Sequence, residues 1–266
     1  MTAGIVASIM LGLLIGLLAN RWAEHVMKGS AIVGVAQCPK CSAKLGWKSL
    51  LPLAGGLLPC GACGSRRITG LAVEAIALFF TPLLFFYARE HLVQCSFLLL
   101  VGLVSFRTDA EERYLYDSVT LCTALGALLL HFPRIGLEAS IKSLGLAIAV
   151  SLAILILCRF IAIIIGLERP KTLRDWLALQ TAASGGGDPL LIGAICLWLS
   201  PGAVVFFLVG SHLLGVLWAL ISKGFIRFQL VAIGAFMGPF ASLAFLLDVS
   251  GLWNRYLFWW LLKVTP

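Results

Sequence analysis

The sequence predicts an all-α, polytopic membrane protein of about eight transmembrane helices with one polar, cysteine-bearing loop. Three observations carry this. The 266-residue chain is 61% hydrophobic and only 12% charged, with a mean hydropathy of +1.02, whereas a soluble domain is roughly 45–50% apolar and about 25% charged. Its apolar residues gather in runs of about 20, the length at which an α-helix crosses hydrocarbon with its backbone polar groups satisfied internally. Its basic residues sit in short connections between those runs. The net charge of +8 therefore does not point to nucleic acid, which needs basic residues clustered on a soluble face.

In order, helices are expected near 3–20, 70–88, 91–107, 117–133, 141–166, 189–200, 202–222 and 228–248. This divides the chain into a first transmembrane helix (1–20), a polar loop (21–69) and a helical bundle (70–266). The run Gly4 to Leu18 has no basic segment before it and no small-x-small cleavage site after it, so it reads as a retained helix. The loop carries Arg21, Lys28, Lys40, Lys44, Lys48, Arg66 and Arg67, while the next connection has only Arg89. The positive-inside rule then puts the loop in the cytoplasm and the N-terminus outside. Connections 108–116, 167–188 and 223–227 fall on the same cytoplasmic side. The Trp-rich tail 252–263 is too short to span and suits the outer interface.

The loop reads Cys38-Pro-Lys-Cys41, eighteen residues, then Cys60-Gly-Ala-Cys63. Two C-x-x-C knuckles at this separation suit one tetrahedral Zn²⁺, and four protein ligands leave it no open position, so the ion is expected to be structural. Disulfides are disfavoured in a reduced cytoplasmic loop. Cys95, Cys122, Cys158 and Cys196 fall inside apolar helices without metal spacing and read as small hydrophobes.

Acidic residues at the ends of apolar runs are functional candidates, because an ionised carboxylate is expensive in hydrocarbon. Asp109 closes the third run, Asp117 opens the fourth, and Asp188 follows Gly185-Gly-Gly187 before the sixth. All three fall on the cytoplasmic side of the expected topology. The glycines let the backbone at Asp188 bend and approach a neighbour closely, and Pro189 fits a first helical turn. The plain alternatives are a capped turn at Asp188 and an N-terminal cap at Asp117. Two carboxylates brought close share one proton and can activate water while protonating a leaving group. No H-E-x-x-H is present, and His25, His91, His131 and His212 are scattered.

Taken together these residues resemble the type IV prepilin peptidases, the leader peptidase/N-methyltransferases of the GxGD aspartyl protease group. The resemblance runs through Cys38, Cys41, Cys60 and Cys63 with Trp47 and Pro52 between them, Glu74 on the following helix, and the pair Asp109 and Asp117 eight positions apart. It continues through Gly185, Gly187 and Asp188, Trp198 ten residues on, and the late Gly238-Pro239. It implies Asp109 and Asp188 as the catalytic dyad, with Asp117, Gly185, Gly187 and Glu74 supporting. It also implies type IV prepilin or pseudopilin substrates, cut at the cytoplasmic face of a bacterial inner membrane. In many members the new N-terminus is then methylated with S-adenosylmethionine.

Three departures stand beside these matches. Leu115-Tyr116 replaces a usual Leu-Pro, Leu190 replaces a usual Lys, and Ile68-Thr-Gly-Leu71 replaces an Arg-Tyr-Pro segment before Glu74. They bear on substrate selection and methyl transfer more than on proteolysis. The alternative reading is a non-enzymatic transporter or zinc-sensing membrane protein. It would place polar residues along a path through the midspans, where this sequence has chiefly Arg159.

Overall fold

The computed structural model describes residues 2–28, 38, 41, 43–44, 53, 57–65, 68–112, 114–164, 187–221 and 234–251. Its regular elements are helices: α1 (Thr2–Lys28), α2 (Ile68–Tyr87), α3 (Leu92–Glu112), α4 (Asp117–Ile135), α5 (Leu137–Ile164), α6 (Gly187–Cys196), α7 (Pro201–Ile221) and α8 (Gly234–Val249). Each expected helix has a counterpart. Five, α1 to α5, are long and apolar enough to cross a membrane, with α3 extended back to Arg89 by a 3₁₀ turn. Two shorter apolar stretches, Pro201–Gly215 and Phe236–Val249, lie in α7 and α8. Trp47, Pro52, Arg66, Arg67, Gly185 and the tail 252–263 lie outside the described residues.

Two boundaries differ from expectation for a physical reason. α1 runs on to Lys28 through Arg21 and Glu24, because Glu24 turns inward to a buried arginine of α3 instead of needing water. α3 continues to Glu112, so Asp109 lies inside the last turns of the helix rather than at its end. α4 packs back on α3 and contains a π-helical turn at Ala127–His131. α4 and α5 are joined through Gly136, whose φ of +81° is a left-handed conformation that a side chain disfavours.

α3 is the axis of the bundle. Of its apolar window 61% is buried, against 17% in α5, and α1, α2, α4 and α8 all pack on it. The outward faces of the peripheral helices carry exposed Phe79, Leu129, Ile156 and Leu213, as expected where the neighbour is lipid rather than water.

The closest approach is between α3 and α8 at Gly102 and Gly238. A Cβ on Gly102 would lie 2.7 Å from the carbonyl carbon and oxygen of Gly238, and one on Gly238 would strike the Gly102 backbone. Small residues are what allow membrane helices to pack backbone on backbone, since lipid supplies no hydrophobic drive between them. Pro239 follows within α8, and the Ser242 hydroxyl donates to the Gly238 carbonyl at 3.1 Å. Replacing Gly102 by Val is expected to push the two helices apart and lower stability by roughly 1–3 kcal/mol, as overpacked cores do. A thermal unfolding scan in detergent checks this, with Val205→Ala on the exposed face of α7 as the neutral comparison.

Candidate active site and thiol cluster

The depth of the two carboxylates follows from packing at the opposite end of the bundle. Trp198, just beyond α6, is fully buried and stacks on Phe97 of α3, with ring centroids 5.9 Å apart and planes 24° apart. It also contacts His131 and Phe245, and its indole N–H donates to the Thr123 carbonyl at 3.0 Å. From Phe97, twelve residues along α3 lead to Asp109, about 18 Å at 1.5 Å per residue; from Trp198, ten residues back along α6 lead to Asp188, about 15 Å. With α3 and α6 antiparallel, both carboxylates reach the same level.

They also reach the same face. Leu98, Val101, Gly102 and Ser105 of α3 meet Leu191 and Ile195 of α6 around a cavity of about 10 Å³. Asp109 lies four residues beyond Ser105 and Asp188 three before Leu191, each one turn further along these facing stripes. Asp109 is buried, 6% exposed; Asp188, in the first turn of α6, is half-buried. Asp188 stands outside the five spanning helices, and burial, then the charge of Asp109, raises its carboxyl to about 6. Two carboxyls that repel in this way hold a proton between them more readily than either alone.

Asp117 is exposed in the first turn of α4 and lines an open cleft with Pro189 rather than the contact between α3 and α6. Gly187 opens α6 beside Asp188. At the departure Leu115-Tyr116, Leu115 is buried and Tyr116 has φ −84° and ψ 133°, an extended backbone close to what proline would adopt. Its hydroxyl donates to Glu112 at 2.5 Å, tying the end of α3 to the start of α4.

The four loop cysteines come together. Their sulfurs lie within 4.8 Å of one another, with Cys38 to Cys63 at 3.6 Å and Cys41 to Cys60 at 3.7 Å. These separations are far longer than a disulfide bond and match the edge of a tetrahedron, about 3.8 Å, around an ion 2.3 Å from each sulfur. Each knuckle supplies one sulfur to each pair. The cluster could therefore bind zinc.

Residues 95–220 match the type IV leader peptidase family. Over that stretch the chain is similar to this family. The match contains Asp109, Asp117, Asp188 and Trp198, and it supports a reading of the chain as an aspartic leader peptidase. No curated protein and no solved structure matches the chain.

The leader-peptidase segment also holds a group that sequence reasoning missed. Arg107, buried and two residues before Asp109, donates to the Asn20 carbonyl at 2.8 Å, to the Asn20 side chain at 3.0 Å, to Glu24 at 3.1 Å and to Glu111 at 3.1 Å. The Asn20 amide donates to Glu74 at 2.9 Å and to the Gly70 carbonyl at 3.0 Å. Glu74 also accepts from the Leu53 amide, and Thr69 donates to Glu111. Glu74 is thus bound to α1 and to the loop between the two knuckles. The available signal was the presence of Asn20, Glu24 and Arg107 at the edges of apolar runs, where a charge needs a partner.

Replacing Cys60 by Ser is expected to reduce zinc in the purified protein from stoichiometric to background. Atomic emission on protein grown in zinc-supplemented medium checks this, and an unchanged zinc content would exclude the cluster as the binding site.

Proposed function

We propose that the protein is a membrane aspartic endopeptidase that removes the leader of type IV prepilins or pseudopilins, with Asp109 and Asp188 as its catalytic pair. The observation that carries this is the antiparallel register of α3 and α6, in which two acidic side chains lie one turn beyond a shared contact. Within a buried, repelling pair that shares one proton, Asp188 is the member assigned the proton, since burial and then the Asp109 charge both raise it.

In that state Asp109 accepts a proton from water as the water oxygen bonds to the scissile carbonyl carbon. Asp188 donates its proton to the carbonyl oxygen. The tetrahedral intermediate collapses as its nitrogen takes the proton now held by Asp109 and one of its hydroxyls returns a proton to Asp188; the C–N bond breaks, and a carboxyl terminus and a free amine separate. Burial of the pair strengthens both interactions by excluding water.

The charge distribution supports an orientation with the Asp109 and Asp188 end and the tetracysteine loop in the cytoplasm and the N-terminus outside. About eight spans are compatible with it if α6, α7 and α8 complete the bundle in the bilayer. A structural Zn²⁺ held by Cys38, Cys41, Cys60 and Cys63 would fix the loop, which reaches Glu74 through Leu53. Gly185 and Gly187 would let the chain approach Asp188 closely, and Asp117 and Glu74 would support the site from either side. Methylation of the new N-terminus with S-adenosylmethionine is a second reading. It rests on the tetracysteine arrangement beside buried Glu74, together with the resemblance to members that carry this loop.

The test is cleavage of a prepilin by purified protein in detergent. Asp109→Asn and Asp188→Asn are each expected to lower the rate by at least about a thousandfold, within the range of a lost acid–base group, while keeping the wild-type unfolding temperature. Retained cutting in either variant would remove that residue from the pair. With S-adenosylmethionine present, a product heavier by one methyl group supports the second reading, and an unmodified product overturns it.

A further inference from the structure

α4 and α5 both pack on α6 and straddle it, leaving a cleft floored by α6, with a volume of about 480 Å³. Small residues form its base: Gly193 and Ala194 of α6, flanked by Ala124 of α4 and Ala147 of α5. Leu121 and Ile148 stand on its walls, 59% and 53% exposed. Along α6 the cleft runs from Pro189 to Leu197, eight residues or about 12 Å. A small-residue floor between aliphatic walls is the relief into which the ridges of another helix pack.

Its placement says which helix. One end is bounded by Pro189, bonded directly to Asp188, and by Asp117. An occupant therefore begins at the carboxylate pair and extends away from it into the depth of the bundle. The cleft lies between α4 and α5, two of the helices long and apolar enough to span, with exposed Leu121 and Ile148 on either side, so an apolar segment can reach it within the hydrocarbon. Peptide hydrolysis creates a new ammonium group at the head of the downstream segment, and Asp117 is the one ionisable residue lining the cleft among the described residues, at that same head.

We propose that this cleft seats the first two turns of the substrate's apolar helix immediately downstream of the scissile bond, with Asp117 facing the amine released by cleavage. The proposal rests on the leader-peptidase reading and gives it a substrate-binding surface. Because the floor and walls are contacts to side-chain shape and not to particular polar groups, the cleft selects an uninterrupted helical apolar segment rather than a sequence.

The experiment places a photo-crosslinking amino acid at Leu121 or Ile148 in full-length Asp188→Asn protein in lipid nanodiscs with an intact prepilin. Phe79 of α2 and Val205 of α7, exposed on other faces, serve as comparison positions. Crosslinks from Leu121 and Ile148 to the first two turns of the prepilin's apolar segment are expected, at least tenfold above Phe79 and Val205. Crosslinks to lipid alone, or equal yields at all four positions, overturn the proposal.

A second variant, Ala124→Phe, fills the cleft beside its floor. It is expected to raise KM for the membrane-embedded prepilin at least tenfold more than for a short soluble peptide spanning the cleavage site. Equal effects on both substrates would show that the cleft does not bind the apolar segment. Crosslinking needs no catalysis, so failure of the wild type to cut either substrate would overturn the protease reading while the crosslinks separately decide the cleft.

Discussion

The stacking of Trp198 on Phe97 sets the register of the whole molecule. Membrane helices have little hydrophobic drive to choose one vertical offset over another, because the lipid around them is as apolar as their own side chains. A buried indole fixed by a neighbouring ring and by the Thr123 carbonyl removes that freedom. A slip of one turn would move Asp188 by about 5.4 Å along α6, enough to separate it from Asp109. The carboxylate level is thus determined by an aromatic contact near the other end of the same helices, and the indole N–H finds its acceptor on a third helix, α4, so three elements are registered together.

Electrostatics supplies the complementary constraint on α3. Arg107 brings a full charge into the bundle, and a buried arginine is tolerable only where its donors are all engaged. Each of its three nitrogens donates, to Asn20, Glu24 or Glu111. Since these partners come from α1 and from the next turn of α3, the guanidinium joins the first helix to the turn that carries Asp109. Asn20 extends the same set of bonds to Glu74, and Glu74 extends it to the loop at Leu53. Polar groups that would be liabilities separately are stable as a connected set.

How much of this could be read from sequence depended on the range of the interaction. Helix existence was legible in local hydropathy, and the thiol cluster in two C-x-x-C spacings, because both are short-range patterns. The expense of carboxylates in apolar surroundings marked Asp109 and Asp188 without any knowledge of partners. Arg107 was not legible in the same way, since its partners Asn20 and Glu24 lie more than eighty residues away and no periodicity announces such a pairing. The end of α1 was misplaced for the same cause: Arg21 and Glu24 look like a polar boundary until their inward bonds are known. Gly102 and Gly238 read singly as weak helix formers, and only their juxtaposition shows that each makes room for the other.

That juxtaposition has a consequence for how such a chain can change over time. Where α3 crosses α8, the contact is peptide unit against peptide unit, so the position of the lower half of α3 does not depend on the volume of any side chain at the crossing. Substitutions on the lipid-facing walls can accumulate without tilting that helix. The two glycines are exempt from this freedom. A single methyl group on either would act as a wedge near the middle of α3, and the displacement would grow toward the last turns of the helix, where Asp109 stands.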